Sequence, residues 1–397
     1  MHPVLSIGIH VILQIVVWLM ILNCLENNSI IRTSTGRLKI RVWAVMTIYS
    51  LFALLPVAGA MLPDSKVKYA LQGWGNNFLG FFVYFGGVLI FGWLICRLIG
   101  LILHRKMTIL KQIGLVLSLA AGLGLLIYGT HHARRTKVIE YEISIPKDTG
   151  DIHETKIVLI SDLHLNVNTS YEHIARVVDL INEQEPDAVV VAGDIFTSSY
   201  DALEDPDRYS ALLSTIKPKY GVFAVYGNHD VEETLFGGFP ISPISKAFRS
   251  EKMEQFMKDC HFTVLYDETA SIADGQIQIV GRIDGEKAGD GTTNRKGPAE
   301  LLEGVDLSKP VIILEHEPVE FKALKEAGAD LALCGHTHNG QLCPGNLIIP
   351  FFNENAFGYK NVSGLDTIVS AGVGFYGPPM RVGTNSDISV IRLHTGE

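Results

Sequence analysis

Five short motifs carrying residue types that bind metals punctuate the sequence from Asp162 onward: Asp162-Leu163-His164, Gly193-Asp194, Gly227-Asn228-His229-Asp230, His316, and Gly335-His336-Thr337-His338. Imidazole and carboxylate together suit divalent transition metals such as Mn, Fe or Zn. The cysteines, none in CxxC spacing, disfavour an iron-sulfur or structural zinc site. A bridging carboxylate would hold two ions as a pair. Two ions about 3.5 to 4 Å apart generate a hydroxide at neutral pH and neutralise charge on the attacking and leaving oxygens of an in-line displacement. Hydrolysis of a phosphate ester needs that chemistry. A lone Asp or His is more often a turn residue or a helix cap than a ligand, so the reading rests on the joint, ordered pattern.

Each motif follows a run that reads as a buried strand. The runs are 156–160, 188–192, 222–226, 311–314 and 331–333, apolar but for Lys156 and mostly rich in β-branched residues. Residues at the carboxyl ends of neighbouring strands converge on one crevice, which brings groups distant in sequence together. In extended backbone Asp162 and His164, two residues apart, point the same way. Gly193, Gly227 and Gly335 permit tight turns and close approach of backbone to a bound substrate. Between the strands, 171–183 and 244–258 carry helix-spaced apolar residues, among them Ile174, Val177, Val178, Ile181, Phe248 and Phe256. Segments 277–280, 347–349, 367–370 and 388–393 read as further strands of a two-sheet core. The alternation of strands and amphipathic stretches from Val138 onward is that of a layered α/β domain.

In order and spacing these motifs resemble the calcineurin-like metallophosphoesterase family, whose pattern runs DxH, GD, GNH, a lone H, and GHxH. The similarity covers about 155–393. It is greatest with the membrane-anchored or exported bacterial subgroup, through Ser161–Leu165 (SDLHL), Gly335–Gln341 (GHTHNGQ) and Ala371–Arg381 (AGVGFYGPPMR). The resemblance implies an α/β fold, a four-layer α/β/β/α sandwich with a dinuclear site at its edge. It assigns Asp162, His164 and His338 to one metal and Asn228, His316 and His336 to the other, with Asp194 between them. His229 would face the substrate and protonate the leaving group, which suits an imidazole near neutral pKa. Arg381 is a candidate for binding the phosphate or its substituent. The chain departs from the family's GDxxD form, because Thr197 stands where the second aspartate would orient His229; Asp230 is the substitute the sequence offers.

Ahead of this domain lies a different kind of chain. Of 397 residues 47% are apolar, and the excess sits in the first 130, whereas the acidic residues behind the net charge of −9 lie mostly beyond Asp148. Apolar stretches at 4–25, 42–62, 78–103 and 113–129 are compared with the roughly 20 residues a helix needs to cross a bilayer. Four spans follow. The first has no basic region before it and no small-residue cleavage site directly after it, which argues against a signal peptide. Arg97, near a span end, snorkels to the interface, and His10 and Gln14 do packing duty. We therefore expect a membrane region over 1–130, a linker with the first strand over 131–154 and the metallophosphoesterase domain over 155–397. Basic residues Arg32, Arg37, Lys39 and Arg41 in one loop and Arg105, Lys106 and Lys111 in another outnumber Lys66, Lys68, Arg134, Arg135 and Lys137. That bias puts the N-terminus and the catalytic domain outside the cytoplasm.

The negative balance and the lack of clustered Lys and Arg argue against a nucleic-acid partner. Loops decide the substrate in such a fold. Those at 202–219, 236–240 and 351–357 carry apolar and aromatic residues, and an apolar rim on a membrane-anchored domain points to a phosphorylated substrate that is lipid-linked, as monoester or diester. The rival reading is a membrane sensor that binds metal or a phosphorylated ligand without turnover. Complete ligand sets and a retained His229 argue against it. A transporter would call for charged or broken helices at mid-membrane. His131, His132, His153, His173, His261 and His394 belong to no pattern and read as surface or interfacial residues.

Overall fold

The computed structural model describes residues 3–26, 36–104, 107–237 and 239–396; Arg32, Arg105, Lys106 and Gly238 lie outside them. The described chain divides into two units.

The helical unit holds residues 1–131 together with two short segments from later in the sequence, Thr234–Ile241 and Gly377–Met380. Its helices are α1 (Pro3–Glu26), α2 (Gly36–Met61), α3 (Lys66–Ile102) and α4 (Thr108–Ala133). All four are long and apolar enough to cross a membrane. Helix α3 begins well before the apolar stretch at 78, because Ser65 caps it by accepting from the Lys68 amide at 3.2 Å. At ~1.5 Å per residue it exceeds the roughly 30 Å hydrocarbon core. The polar groups of α1 reach α2, with Tyr49 Oη donating to Gln14 Oε1 at 2.5 Å and His10 Nε2 bonding the Ala53 carbonyl at 2.9 Å. Both residues thus hydrogen-bond across helices, beyond the packing duty expected of them.

The second unit contains two six-stranded sheets. The first is made of β1 (Thr136–Ile145), β2 (Glu154–Ile160), β3 (Ala188–Ala192), β4 (Val222–Val225), β5 (Phe262–Val264) and, from the C-terminus, β12 (Ser386–Thr395), in the order β1-β12-β2-β3-β4-β5. The second takes β6 (Glu268–Ile272), β7 (Ile277–Gly281), β8 (Val311–Leu314), β9 (Leu331–Cys334), β10 (Gly358–Val362) and β11 (Leu365–Val369), in the order β10-β11-β9-β8-β7-β6. Strands β2, β3 and β4 run parallel side by side, as do β8 and β9. All five ligand motifs therefore leave the same kind of strand end.

Alternate side chains of these strands enter different cores, which explains the unbroken apolar runs. In β3, Val189 and Val191 face outward to helices, while Ala188, Val190 and Ala192 face the second sheet. The outer face of sheet one is covered by α5 (Tyr171–Glu183), α6 (Pro206–Leu213) and α7 (Glu251–Asp259), through Ile174, Val178, Leu213 and Phe256. The outer face of sheet two is covered by α8 (Pro298–Leu301) and α9 (Phe321–Ala327), through Leu301, Phe321 and Leu324. The layers are α/β/β/α.

Two expected elements differ. The helix over 244–258 is a 3-10 turn at Ile244–Lys246 followed by α7, since Ser250 caps the helix by accepting from the Met253 amide. Residues 347–349 are not a strand: Gly345–Ile348 is a helical turn and Ile349–Phe351 a 3-10 turn. Pro344 and Pro350 remove donors that a ladder would use.

Candidate metal centre

Backbone pairing brings the first two motifs together. Asp162 N donates to the Gly193 carbonyl at 2.9 Å, His164 N to Asp194 O at 3.0 Å and Leu165 N to Ile195 O at 2.8 Å. The Asp162–His164 pair is not extended, as the spacing suggested. Both residues are left-handed, with φ of 52° and 47°, as are Asp194 (52°), His336 (74°) and His338 (49°). Non-glycine residues rarely hold such backbone unless surrounding bonds impose it, and here it aims five side chains inward. Two glycines make room. Gly193 has a φ of 79°, and a Cβ there would lie 2.7 Å from His316 Nδ1; one at Gly227 would run into the Asp194 carboxylate.

Two groups of side chains result, Asp162 with His164 and His338, and Asp162 with Asp194 and His316, the ligand atoms of each group within 4.8 Å of one another. Asp194 Oδ2 lies 3.5 Å from His164 Nε2 and 3.2 Å from His316 Nε2. Asp162 Oδ1 lies 3.3 Å from His338 Nε2. His164 Nε2 and His338 Nε2 face each other at 2.9 Å, and His336 Nδ1 faces His316 Nε2 at 3.3 Å. The outer nitrogens are held from behind: His316 Nδ1 by the Ala192 carbonyl at 2.8 Å, His164 Nδ1 by Thr197 Oγ1 at 2.9 Å. A carbonyl only accepts, so His316 carries a proton on Nδ1 and presents Nε2 to Asp194, the nitrogen that is free to ligate once its own proton is lost.

Two buried oxygens, Asp162 Oδ1 and Asn228 Oδ1, have no hydrogen-bond partner among the described residues. Leaving such atoms unpaired is costly, and both point to cations as their complement. Burial keeps the imidazoles of His164 and His336 neutral, pushing each down to about 3, and holds His338 well below its ordinary range. Neutral imidazole is the ligating form. Burial also raises Asp162, to about 6. For Asp194 burial opposes ionisation, but His316, His229 and His164 outweigh it and hold the carboxyl well below the usual range. Burial would lower His316, yet Asp194 and Asp162 raise it well above the usual histidine range. The donor set fits divalent metals.

His229 sits beside this cluster, its ring 5.6 Å from that of His164 and its amide donating to Asp194 Oδ1 at 2.8 Å. Two expectations about its surroundings need correction. Asp230 does not touch the ring. It accepts from the Phe196 and Gly227 amides, at 2.8 Å each, and staples the two turns. Arg381, a candidate for binding the phosphate, is fully buried. Its guanidinium donates to the carbonyls of His338, Ala371, Gly372 and Gly374 at 2.6–3.1 Å, gripping the His338 turn from behind. His173, expected near the surface, is buried and bonds the Val373 carbonyl at 2.8 Å.

The sequence reading missed several neighbours of the site. Glu233, four residues along a non-helical loop from His229, reaches to within 3.7 Å of its Nδ1. Tyr376, inside the AGVGFYGPPMR stretch, lays its ring 4.6 Å from that of His229. Glu286 accepts from Asn228 Nδ2 at 2.9 Å and groups with Glu317 and His336.

Residues 155–340 match the model of the calcineurin-like phosphoesterase family. The chain is 30% identical over 293 residues to a transmembrane protein with metallophosphoesterase domain of Danio rerio, covering 70% of this chain and 62% of the relative. It thus spans less than two thirds of that relative's length. It is 30% identical over 252 residues to an uncharacterized metallophosphoesterase of Aquifex aeolicus, covering 63% of this chain and 87% of the relative. It is 26% identical over 239 residues to UDP-2,3-diacylglucosamine pyrophosphatase LpxG of Chlamydia trachomatis, covering 52% and 70%.

Proposed function

The chain belongs to the calcineurin-like phosphoesterase family, and we propose that it is a membrane-anchored, metal-dependent hydrolase of phosphate esters with a dinuclear centre. Asp162, His164 and His338 would hold one divalent ion and Asn228, His316 and His336 the other, with Asp194 shared. The observation that carries this is the pair of unpaired buried oxygens, Asp162 Oδ1 and Asn228 Oδ1, amid imidazole nitrogens that face one another rather than donors. When bound, two divalent ions polarise the phosphoryl oxygens and acidify a water. The chain's own task is then to fix the ester and to give the departing oxygen a proton, and His229, beside the ligands but outside their set, is the group for that proton.

A substrate with a membrane-resident apolar part is favoured by three features. Segment Thr234–Ile241 follows Glu233 directly, and Gly377–Met380 lies between Tyr376 and Arg381; both pack within the helical unit, Phe236 against the His10 ring and Met380 against Gly80. Leu347, Ile348, Phe351 and Phe352, shortly after the His338 motif, are exposed in a segment without charge. One relative is named for a pyrophosphatase of a diacylated sugar nucleotide. We place the catalytic unit outside the cytoplasm, as the loop charges favour.

The test is hydrolysis of bis-(p-nitrophenyl) phosphate and p-nitrophenyl phosphate by the full-length protein in micelles, with Mn added or metal stripped, and then of lipid phosphates against nucleotides. Metal-dependent turnover, lost in Asp194→Asn and His229→Ala and higher on lipid phosphates, is expected. No turnover of any ester by folded protein carrying two ions would overturn the hydrolase reading, and a preference for nucleotides the lipid one.

A further inference from the structure

His229 Nδ1 lies 3.2 Å from Ser198 Oγ, whose single proton goes to Glu233 Oε1 at 2.8 Å. A hydroxyl that has spent its proton on a carboxylate can only accept from the imidazole. His229 is therefore protonated at Nδ1 when neutral, with Nε2 left for the substrate. Behind Glu233, the buried Lys287 donates from Nζ to the same Oε1 at 2.7 Å. Ser198 is held in left-handed backbone, φ 56°, by its own amide on the His229 carbonyl at 2.8 Å and by the Glu233 amide on its carbonyl at 3.0 Å. Strained backbone fixed by bonds to both partners is what a positioning device requires.

From this chain of contacts we propose that Lys287, Glu233 and Ser198 form a relay that positions His229 and sets its tautomer, so that Glu233 does here what the missing aspartate at position 197 would have done. The proposal rests on the hydrolase reading only for its kinetic consequence. Thr197 is thereby released to hold His164, which it does at 2.9 Å while also receiving Asn166 Nδ2 at 3.0 Å. Glu233 touches no reacting atom and acts through His229; it is a positioning residue. Burial would raise the Glu233 carboxyl, but the His229 contact and Lys287 outweigh it and bring it below the usual range.

The experiment compares full-length wild type with Glu233→Gln, which keeps size but supplies an amide that can donate to Ser198 and free its hydroxyl to donate to His229 Nδ1. Zinc-loaded, 15N-histidine-labelled protein in micelles reports the tautomer, the His229 resonance being identified with His229→Ala. The relay predicts an Nδ1–H ring in wild type and an Nε2–H ring in Glu233→Gln. Kinetically, kcat should fall roughly 10- to 100-fold for an alkyl ester, whose departing oxygen needs a proton, but only a few-fold for a p-nitrophenyl ester, with KM unchanged. An unaltered tautomer, or equal losses on both esters with full metal content, would overturn the relay. Lys287→Met should move both readouts in the same direction, and serves if Glu233→Gln does not fold. Absence of wild-type turnover would count against the hydrolase reading alone, because the tautomer is read without it.

Discussion

Behind His164 and His338 the protein is closed, whereas around His336 it is partly open. Thr197 backs His164, Arg381 fills the space behind the His338 turn, and Asp162, His164 and His338 are all buried. On the other side His336 keeps a minor part of its surface exposed, Asn228 is tied to the exposed Glu286, and Glu317 stands nearby. The proposed position at Asp162, His164 and His338 is thus walled by Thr197 and a gripping arginine, while the other is bordered by the buried Glu317 and the exposed Glu286. The difference teaches that the seven proposed ligands, though similar in type, need not make equivalent sites: we expect the closed side to hold an ion through chelation and the open side to exchange.

Asp194→Asn strikes both sides at once and should cost most, several kcal/mol of charge stabilisation or about 10³-fold in turnover, with both ions lost by elemental analysis. His229→Ala should lower kcat by roughly 10²- to 10⁴-fold with both ions retained, separating proton transfer from ligation. Arg381→Met sharpens the contrast: four buried carbonyls lose their donor, so we expect a destabilisation of about 1–3 kcal/mol and a roughly 10- to 100-fold weaker closed-side ion, read by thermal unfolding and metal titration. Glu286→Gln should weaken only the open-side ion, by less than about 10-fold. Metal affinity should also follow pH. Asp162, raised to about 6, and His316, raised above its usual range, must shed protons to ligate, so binding tightens as pH rises through about 6 and beyond and releases protons to buffer in calorimetry.

The sequence is most readable where burial acts on both faces of an element. Strand β3 and helix α5 begin and end where their apolar runs and the Ser170 cap place them. Edge strands β6 and β10, mostly exposed along one or both faces, leave no such run and escape notice. The proposed ligands could be picked out from their motifs, because each motif sits at a strand end fixed by local pattern. Their neighbours could not. Arg381 looks like any basic residue after Pro-Pro until four carbonyls from two separate turns surround it, and Glu233 acquires its place only when Ser198 and Lys287 arrive from other loops. Such contacts are tertiary, and no spacing along the chain announces them.

The most direct test of a dinuclear centre is the electron paramagnetic resonance spectrum of the full-length protein loaded with Mn(II). Two ions sharing Asp194 predict an exchange-coupled spectrum with hyperfine spacing half that of an isolated ion, reverting in Asp194→Asn to the signal of free or singly bound Mn(II). A wild-type spectrum of isolated six-line ions at full loading would contradict a shared carboxylate, and with it the proposed mechanism.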